Sequence, residues 1–188
     1  MVEKVTKNEP RFRNSRRDAE AAPKEFDEVV VNVDRVARVV KGGRRFRFKA
    51  LVVVGNHKDK VGVGVAKGSD VQSAISKATE VAKKHLIVIA VHKDTIPHDY
   101  EVKYKGARVM IKPASPGTGV IAGGVVRSII GVTGIKDLLT KSLGSKNKVN
   151  IAYATVEALR NLVPKNQWHN SSESTAKAEP KNQEKKND

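Results

Sequence analysis

Cysteine is absent from the 188 residues, which excludes disulfides, thiolate zinc sites and cysteine nucleophiles together. Aromatic residues are scarce at 4%. A core must therefore come from Val, Ile, Leu and Ala, and recognition of single strands by base stacking has few rings to work with. Long apolar runs are missing as well: the longest, Leu86 to Val91, is strand-sized and far short of the roughly 18 residues a membrane-spanning helix needs. The residues up to about Lys24 are charged throughout and lack an apolar stretch, so no cleavable signal is expected, and a cytoplasmic location follows. Acidic charge is the last shortage. Asp and Glu number 20 against 36 Lys and Arg, giving a formal net charge of +16. Such an excess repels itself in a compact fold, so a polyanion is the expected partner, with nucleic acid ahead of a membrane surface.

Catalytic signatures are thin. The five histidines, His57, His85, His92, His98 and His169, show no metal-ligand spacing, and neither a Gly-x-Ser-x-Gly elbow nor a Gly-Lys-Ser/Thr phosphate loop occurs. The chain is expected not to be an enzyme and to carry no cofactor and no metal.

Cations concentrate between Val29 and Asn56, around a tight turn at Lys41-Gly42-Gly43-Arg44. Side chains alternate across a strand, so Phe46, Phe48, Ala50, Val52 and Val54 share one face and Arg45, Arg47 and Lys49 the other. The first face is expected to be core. The second is a cationic ladder suited to a phosphate backbone, with Arg35, Arg38 and Lys41 leading into the turn from the preceding strand. A third strand alternates Val61, Val63 and Val65 with Gly62, Gly64 and Ala66, leaving one nearly bare face for close approach by a helix. That helix is expected next. Ser69 and Gln72 have capping-box spacing, and Val71, Ala74, Ile75, Ala78, Val81 and Ala82 recur at threes and fours.

A second module opens at Ile87 to Val91 and continues as a hairpin, Tyr100 to Tyr104 and Ala107 to Lys112, around Lys105-Gly106. Gly117-x-Gly119-x-x-Ala122 then follows a strand and opens a helix, with Asp137 about twenty residues on, nominally satisfying a dinucleotide-binding fingerprint. Three features argue against that match, one being that Asp137 follows Gly134 and Lys136 closely, at the start of the next element and not at the far end of a strand. The preceding strand carries Arg108 and Lys112, and the module of about seventy residues is too short for a two-halved dinucleotide fold. The expected roles are structural: Gly117 and Gly119 shape the helix entrance, Gly123 and Gly124 admit a neighbouring backbone, and Val120, Ile121, Val125, Ile129 and Ile130 are core. Leu138 to Leu143 reads as a short strand. A last helix starts at Asn147, buries Val149, Ala152, Tyr153, Val156, Leu159 and Val163, and stops at Pro164.

The fold class is α+β. Two small domains are expected, a three-stranded antiparallel sheet with one helix at 25–86 and a βαβα-type domain at 87–163. Charged tails at 1–24 and 164–188 lack apolar periodicity and are expected to be disordered, Trp168 being the residue able to anchor the second.

Four ordered motifs carry a family resemblance. Val33-Asp34-Arg35-Val36 leads into Val40-Lys41-Gly42-Gly43-Arg44; then come Val61-Gly62-Val63-Gly64, Pro113-Ala114-Ser115-x-Gly117-Thr118-Gly119-x-Ile121-Ala122-Gly123-Gly124, and Gly144-Ser145-x-Asn147. From about residue 26 to 163 the chain resembles the bacterial fifth small-subunit ribosomal protein family. The resemblance implies a first domain related to double-stranded-RNA-binding folds and a place near the neck of the small subunit. It implies partners in small-subunit ribosomal RNA and in the fourth and eighth small-subunit proteins, with mRNA near the path by which it enters. It also maps the family's basic hairpin loop onto Arg38 to Arg44, and its contact with the fourth protein, a surface linked to decoding accuracy, onto Gly119 and Arg127. Lys148 departs from the proline often found after the capping asparagine. The alternative reading is a free-standing RNA chaperone or regulatory binder.

Overall fold

The computed structural model describes residues 26–165 and Trp168. The expected tails lie outside the described residues, apart from Pro164, Lys165 and Trp168. Two strands open the chain, β1 (Asp27–Val40) and β2 (Gly43–Gly55), joined by a two-residue turn in which Gly42 has φ +82°, the conformation required at the third position of a type II turn. β3 (Lys60–Gly68), α1 (Val71–Lys84) and a short β4 (Leu86–Val88) follow, and the antiparallel sheet runs in the order β1-β2-β3-β4. Leu86 to Val88 thus adds a fourth strand to the first sheet, where the sequence had suggested the opening of the second module.

The second sheet consists of β5 (Tyr100–Tyr104), β6 (Ala107–Pro113), β7 (Val120–Ile121) and β8 (Leu138–Gly144), in the order β5-β6-β8-β7 with β7 parallel to β8. Its helices are α2 (Gly124–Gly131) and α3 (Lys148–Arg160). The α+β class and the two-domain order stand as expected. Asn147 caps α3, its side chain accepting from the Val149 N–H. The cap of α1 is a correction: Asp70, one residue beyond Ser69, accepts from the Gln72 N–H at 3.2 Å, because its carboxylate is the oxygen closest to the free amides of the first turn.

The bare face of β3 meets α1. A methyl on Gly64 would run into the Ala78 carbonyl, one on Gly62 into the Ala82 carbonyl, and one on Gly68 would lie 2.6 Å from the Ala74 amide. Ala74, Ala78 and Ala82 line up at four-residue spacing against these glycines, so the helix backbone settles directly on the sheet. Ala50, Val52 and Val54 complete this small core.

The opposite face of the same strands belongs to a second, larger core. Leu51, Val53, Val61 and Val63 pack with Ile129, Ile130, Ile151, Ala154, Ala158 and Leu159, so the two domains share one apolar interior. Burying a Val or Leu side chain is worth roughly 1.5 to 3 kcal/mol, and β2 buries residues on both faces along its second half. Backbone contacts seal the seam. The His57 N–H donates to the Val132 carbonyl at 2.9 Å, Gly55 has no room for a methyl beside Val132, and Gly134, at φ +79°, lies against His57.

Three expectations on burial are corrected here, the first at Ile121, which was expected in the core and is 53% exposed. α3 buries Ile151, Ala152, Ala154, Thr155, Ala158 and Leu159, while Val149, Tyr153 and Val156 are half-buried and Val163 is exposed. The helix is covered from more than one side, so its buried residues do not follow a single stripe. Gly123 and Gly124 face open space, so they admit no neighbouring backbone.

These contacts separate two glycines. Gly64→Ala should lower stability by about 1 to 3 kcal/mol through overpacking, whereas Gly131→Ala, with open space around it, should gain about 0.4 to 1 kcal/mol from reduced freedom of the unfolded chain. Urea midpoints of the full chain would check the pair; equal midpoints would contradict the close helix–sheet contact.

Candidate nucleic-acid interface

The ladder between β1 and β2 runs without a break from Asn32↔Leu51 to Val40↔Gly43, so each side chain's face is fixed by its partner. Gly43 to Phe48, at about 3.3 Å per residue, carry the hairpin about 20 Å toward its tip. Lys41, Gly42, Gly43, Arg44, Arg45 and Arg47 are all exposed there.

One face carries Arg38, Arg45 and Arg47. Arg38 lies directly opposite Arg45, a like-charge pair that weakens a sheet unless an anion bridges it. Lys49 continues this row but is not a free cation. Its Nζ is 2.7 Å from the Asp34 carboxylate, on the neighbouring strand in register. Lys67 pairs in register with Lys49 and extends the row onto β3, a residue the sequence reading passed over although it keeps step with Val63 and Val65.

Arg35 belongs to the other face. It lies opposite Phe48, and its guanidinium sits 3.7 Å from the centre of the Phe46 ring. Phe46, expected in the core, is 49% exposed. The core side of β2 begins only at Ala50, since α1 does not reach the outer half of the hairpin. A cation–π contact at such an exposed site is worth about 0.5 to 1 kcal/mol. The hairpin thus has two chemically distinct faces: a row of arginines, and a ring with one guanidinium stacked on it.

Gly117 and Gly119 adopt φ +89° and +75°, which fits the turn-shaping role expected of them. The Gly119 N–H, which a dinucleotide pyrophosphate would require, donates instead to Asp137 Oδ1 at 2.8 Å. Asp137 is buried just ahead of β8, and its own backbone carbonyl accepts from the Thr95 hydroxyl. The fingerprint is therefore closed by an internal carboxylate. Arg127 is exposed on α2, and Gly119 is half-buried at the mouth of β7.

Among the described residues no group of three or more His, Asp or Glu side chains is placed to hold a metal ion. A groove of about 850 Å³ between α1, β4 and α3 is lined mainly by Val, Leu, Ile and Tyr side chains. Burial, and then neighbouring Tyr104, push the Tyr153 hydroxyl above its ordinary pKa. No helix among the described residues is long and apolar enough to cross a membrane.

With the hairpin and its flanking domain defined, the two halves of the chain each match a family model. Residues 26–90 match "Ribosomal protein S5, N-terminal domain" and residues 102–170 match "Ribosomal protein S5, C-terminal domain". The chain belongs to the ribosomal protein S5 family. Two similar relatives are the proteins named small ribosomal subunit protein uS5 of Campylobacter jejuni strains 81-176 and RM1221. Each is 56% identical over 138 residues, covering 73% of this chain and 94% of the relative. The S5 family is a structural one, not an enzyme family. The first matched segment ends at residue 90, just after β4, and the second begins at residue 102, within β5.

Asp34 offers a check on the hairpin's geometry. Hydrogen bonds from Lys49 and then Asn32 hold its carboxyl below the ordinary carboxylate value. The folded value lies under the unfolded one, so whatever stability these ties contribute is present above the unfolded value and is lost as pH falls through the folded one. A carboxyl-carbon NMR titration should place the Asp34 midpoint below that of an exposed aspartate; a midpoint at or above it would mean the ties to Lys49 and Asn32 do not form.

Proposed function

We propose that this chain is a structural constituent of the small ribosomal subunit, in the cytoplasm, which binds ribosomal RNA through its basic hairpin and braces RNA segments with its two rigidly joined domains. The observation that carries this reading is the Arg38/Arg45 pair, two guanidinium groups held opposite each other on an exposed ladder that also bears Arg47. A fold tolerates such a pair most readily where an anion arrives between them. Closely spaced phosphates supply that charge, and their neutralisation releases counterions and makes affinity salt-dependent. Arg35 and the exposed Phe46 present the opposite face to a second RNA element. Lys41, Gly42, Gly43 and Arg44 form a narrow tip that a groove can admit, and Lys49 serves as a strut between strands.

We infer that the outer face of the second sheet meets ribosomal-protein neighbours, in the family the fourth and eighth small-subunit proteins. Ile121, Leu139 and Leu143 are exposed there, with Ile121 beside Leu139 in the ladder and Arg108, Met110 and Lys112 on the adjoining strand. Gly119 and Arg127 flank this surface in sequence, and a neighbour docked there would link the chain to decoding accuracy and to the path by which mRNA enters. RNA recognition would rest on shape and backbone, since the described chain offers few rings for stacking.

The test is electrostatic. Replacing Arg44, Arg45 and Arg47 by Glu should lower affinity for transcribed small-subunit rRNA by at least tenfold at low salt. It should also flatten the log–log salt dependence by about 0.7 to 0.9 for each phosphate that the variant leaves unneutralised. The urea midpoint should stay the same or rise. Unchanged affinity would remove the hairpin from the proposal. Equimolar retention of the parent on small subunits through a high-salt wash supports a resident component; loss of most of it supports a transient RNA binder.

A further inference from the structure

The arginine row of the hairpin does not stop where the strands enter the protein. Lys49 and Lys67 stand side by side in the ladder below Arg47, on the same face. Asn32 lies on this face too, opposite Leu51, and its side-chain oxygen accepts a hydrogen bond from Lys148 Nζ at 2.6 Å. Lys148 opens α3, so the third ammonium group comes from the other domain. The carboxylate within the cluster is Asp34, which accepts from Asn32 Nδ2 at 2.6 Å and from Lys49 at 2.7 Å. Lys49 and Lys148 therefore lie near one carboxylate at the corner where the domains meet, with Lys67 beside Lys49 one strand further on, and Lys67 and Lys148 are both exposed.

We propose that this corner is an RNA-backbone site in which Lys67 and Lys148 each neutralise one phosphate, so that both domains grip the strand running along the hairpin. The inference rests on the RNA-binding reading above and extends it to residues outside the hairpin and to the second domain. A run of phosphates suits the corner because its cations flank the inner end of the Arg45–Arg47 row, Lys67 on the β3 side and Lys148 on the β1 side, and a polyanion with regularly repeated charge can meet both the row and its flanks. Asn32 is a neutral partner for Lys148, and a phosphate would add an opposite charge to the bond that the ammonium group makes. Asp34 keeps Lys49 and Asn32 in position beside Lys148. The second domain thereby fixes where along the RNA the hairpin sits.

The experiment measures binding of the full chain to transcribed small-subunit rRNA by filter retention, between about 0.05 and 0.2 M salt. Lys67→Gln and Lys148→Gln should each flatten the log–log slope by about 0.7 to 0.9 and lower affinity several-fold at the low-salt end. Asn32→Ala removes the partner of Lys148 but keeps all three ammonium groups, and it should leave the slope unchanged. Three results overturn the proposal. If Lys148→Gln matches the parent while Arg45→Gln reduces slope and affinity, the hairpin binds RNA and the corner does not. If Asn32→Ala reproduces Lys148→Gln, Lys148 is only a strut between domains. If Lys148→Gln weakens binding to poly-glutamate and not to rRNA, the corner is a site for an acidic protein. A parent chain that ignores rRNA altogether removes the underlying RNA reading as well.

Discussion

Double-sided burial of the inner half of β2 is the constraint on which the rest of the molecule depends. Ala50, Val52 and Val54 face α1, while Leu51 and Val53 face the interior shared with the second domain. A slip of one residue in register would carry the larger Leu51 onto the alanine and glycine surface of α1 and β3, where a methyl is already too much at Gly64. Register is therefore fixed from the inside, and the ladder transmits it outward. The exposed outer half has little packing of its own to choose a pairing, yet its arginines arrive at defined positions because Leu51 and Val53 do.

The distribution of carboxylates complements this frame. Glu28 binds Lys83 of α1 at 3.0 Å, Asp27 meets His57 beside the seam, Asp94 reaches Lys136, and Glu101 pairs with Arg108. Each of these acids lies away from the tip. Exposed pairs of this kind contribute at most about 1 kcal/mol, so their value to stability is small. Their placement matters more, since it leaves the outer hairpin with arginines and no acid opposite them in the ladder. Repulsion between Arg38 and Arg45 is borne by backbone pairing and by the core at the other end of the strands. A surface built this way loses little stability when its arginines are replaced, and it gains most when an anion binds.

Period-two and period-four patterns made much of this visible in the sequence. Val61, Val63 and Val65 alternating with Gly62, Gly64 and Ala66 carried both the strand and the helix that covers its bare side. The arginine face followed from the same alternation. What alternation does not contain is where a covering element stops. Phe46 and Val54 share a face, yet one is exposed and the other buried, since α1 spans only the inner part of the sheet. α3 escaped for a related reason: a helix wedged between a sheet and a second layer buries alanines and a threonine that a single-stripe reading assigns to solvent. Lys49 looked equivalent to Arg47 because its partner, Asp34, sits on another strand. Pairing between a helix and a strand was equally invisible for Lys148 and Asn32, 116 positions apart in the chain.

The glycine loop before α2 shows how one sequence pattern serves opposite chemistries. In a nucleotide site, glycines expose backbone amides so that a phosphate can approach them. Here Gly117 and Gly119 take the same left-handed conformations, but the Gly119 amide turns inward to a buried carboxylate of its own chain. Asp137 is in turn fixed through its backbone, its N–H donating to Asp94 and its carbonyl accepting from Thr95. An anion presented to this loop would have to displace an internal bond and leave Asp137 charged and buried, at a cost of several kcal/mol. The loop is thus a rigid corner. The corner places exposed Ile121 next to Leu139 on one face of the sheet. A methyl on Gly119 would meet no neighbour, but it would strain a backbone at φ +75°. Substitution there would therefore act on the shape of this face of the second sheet, while the hairpin, on the other domain, keeps its register.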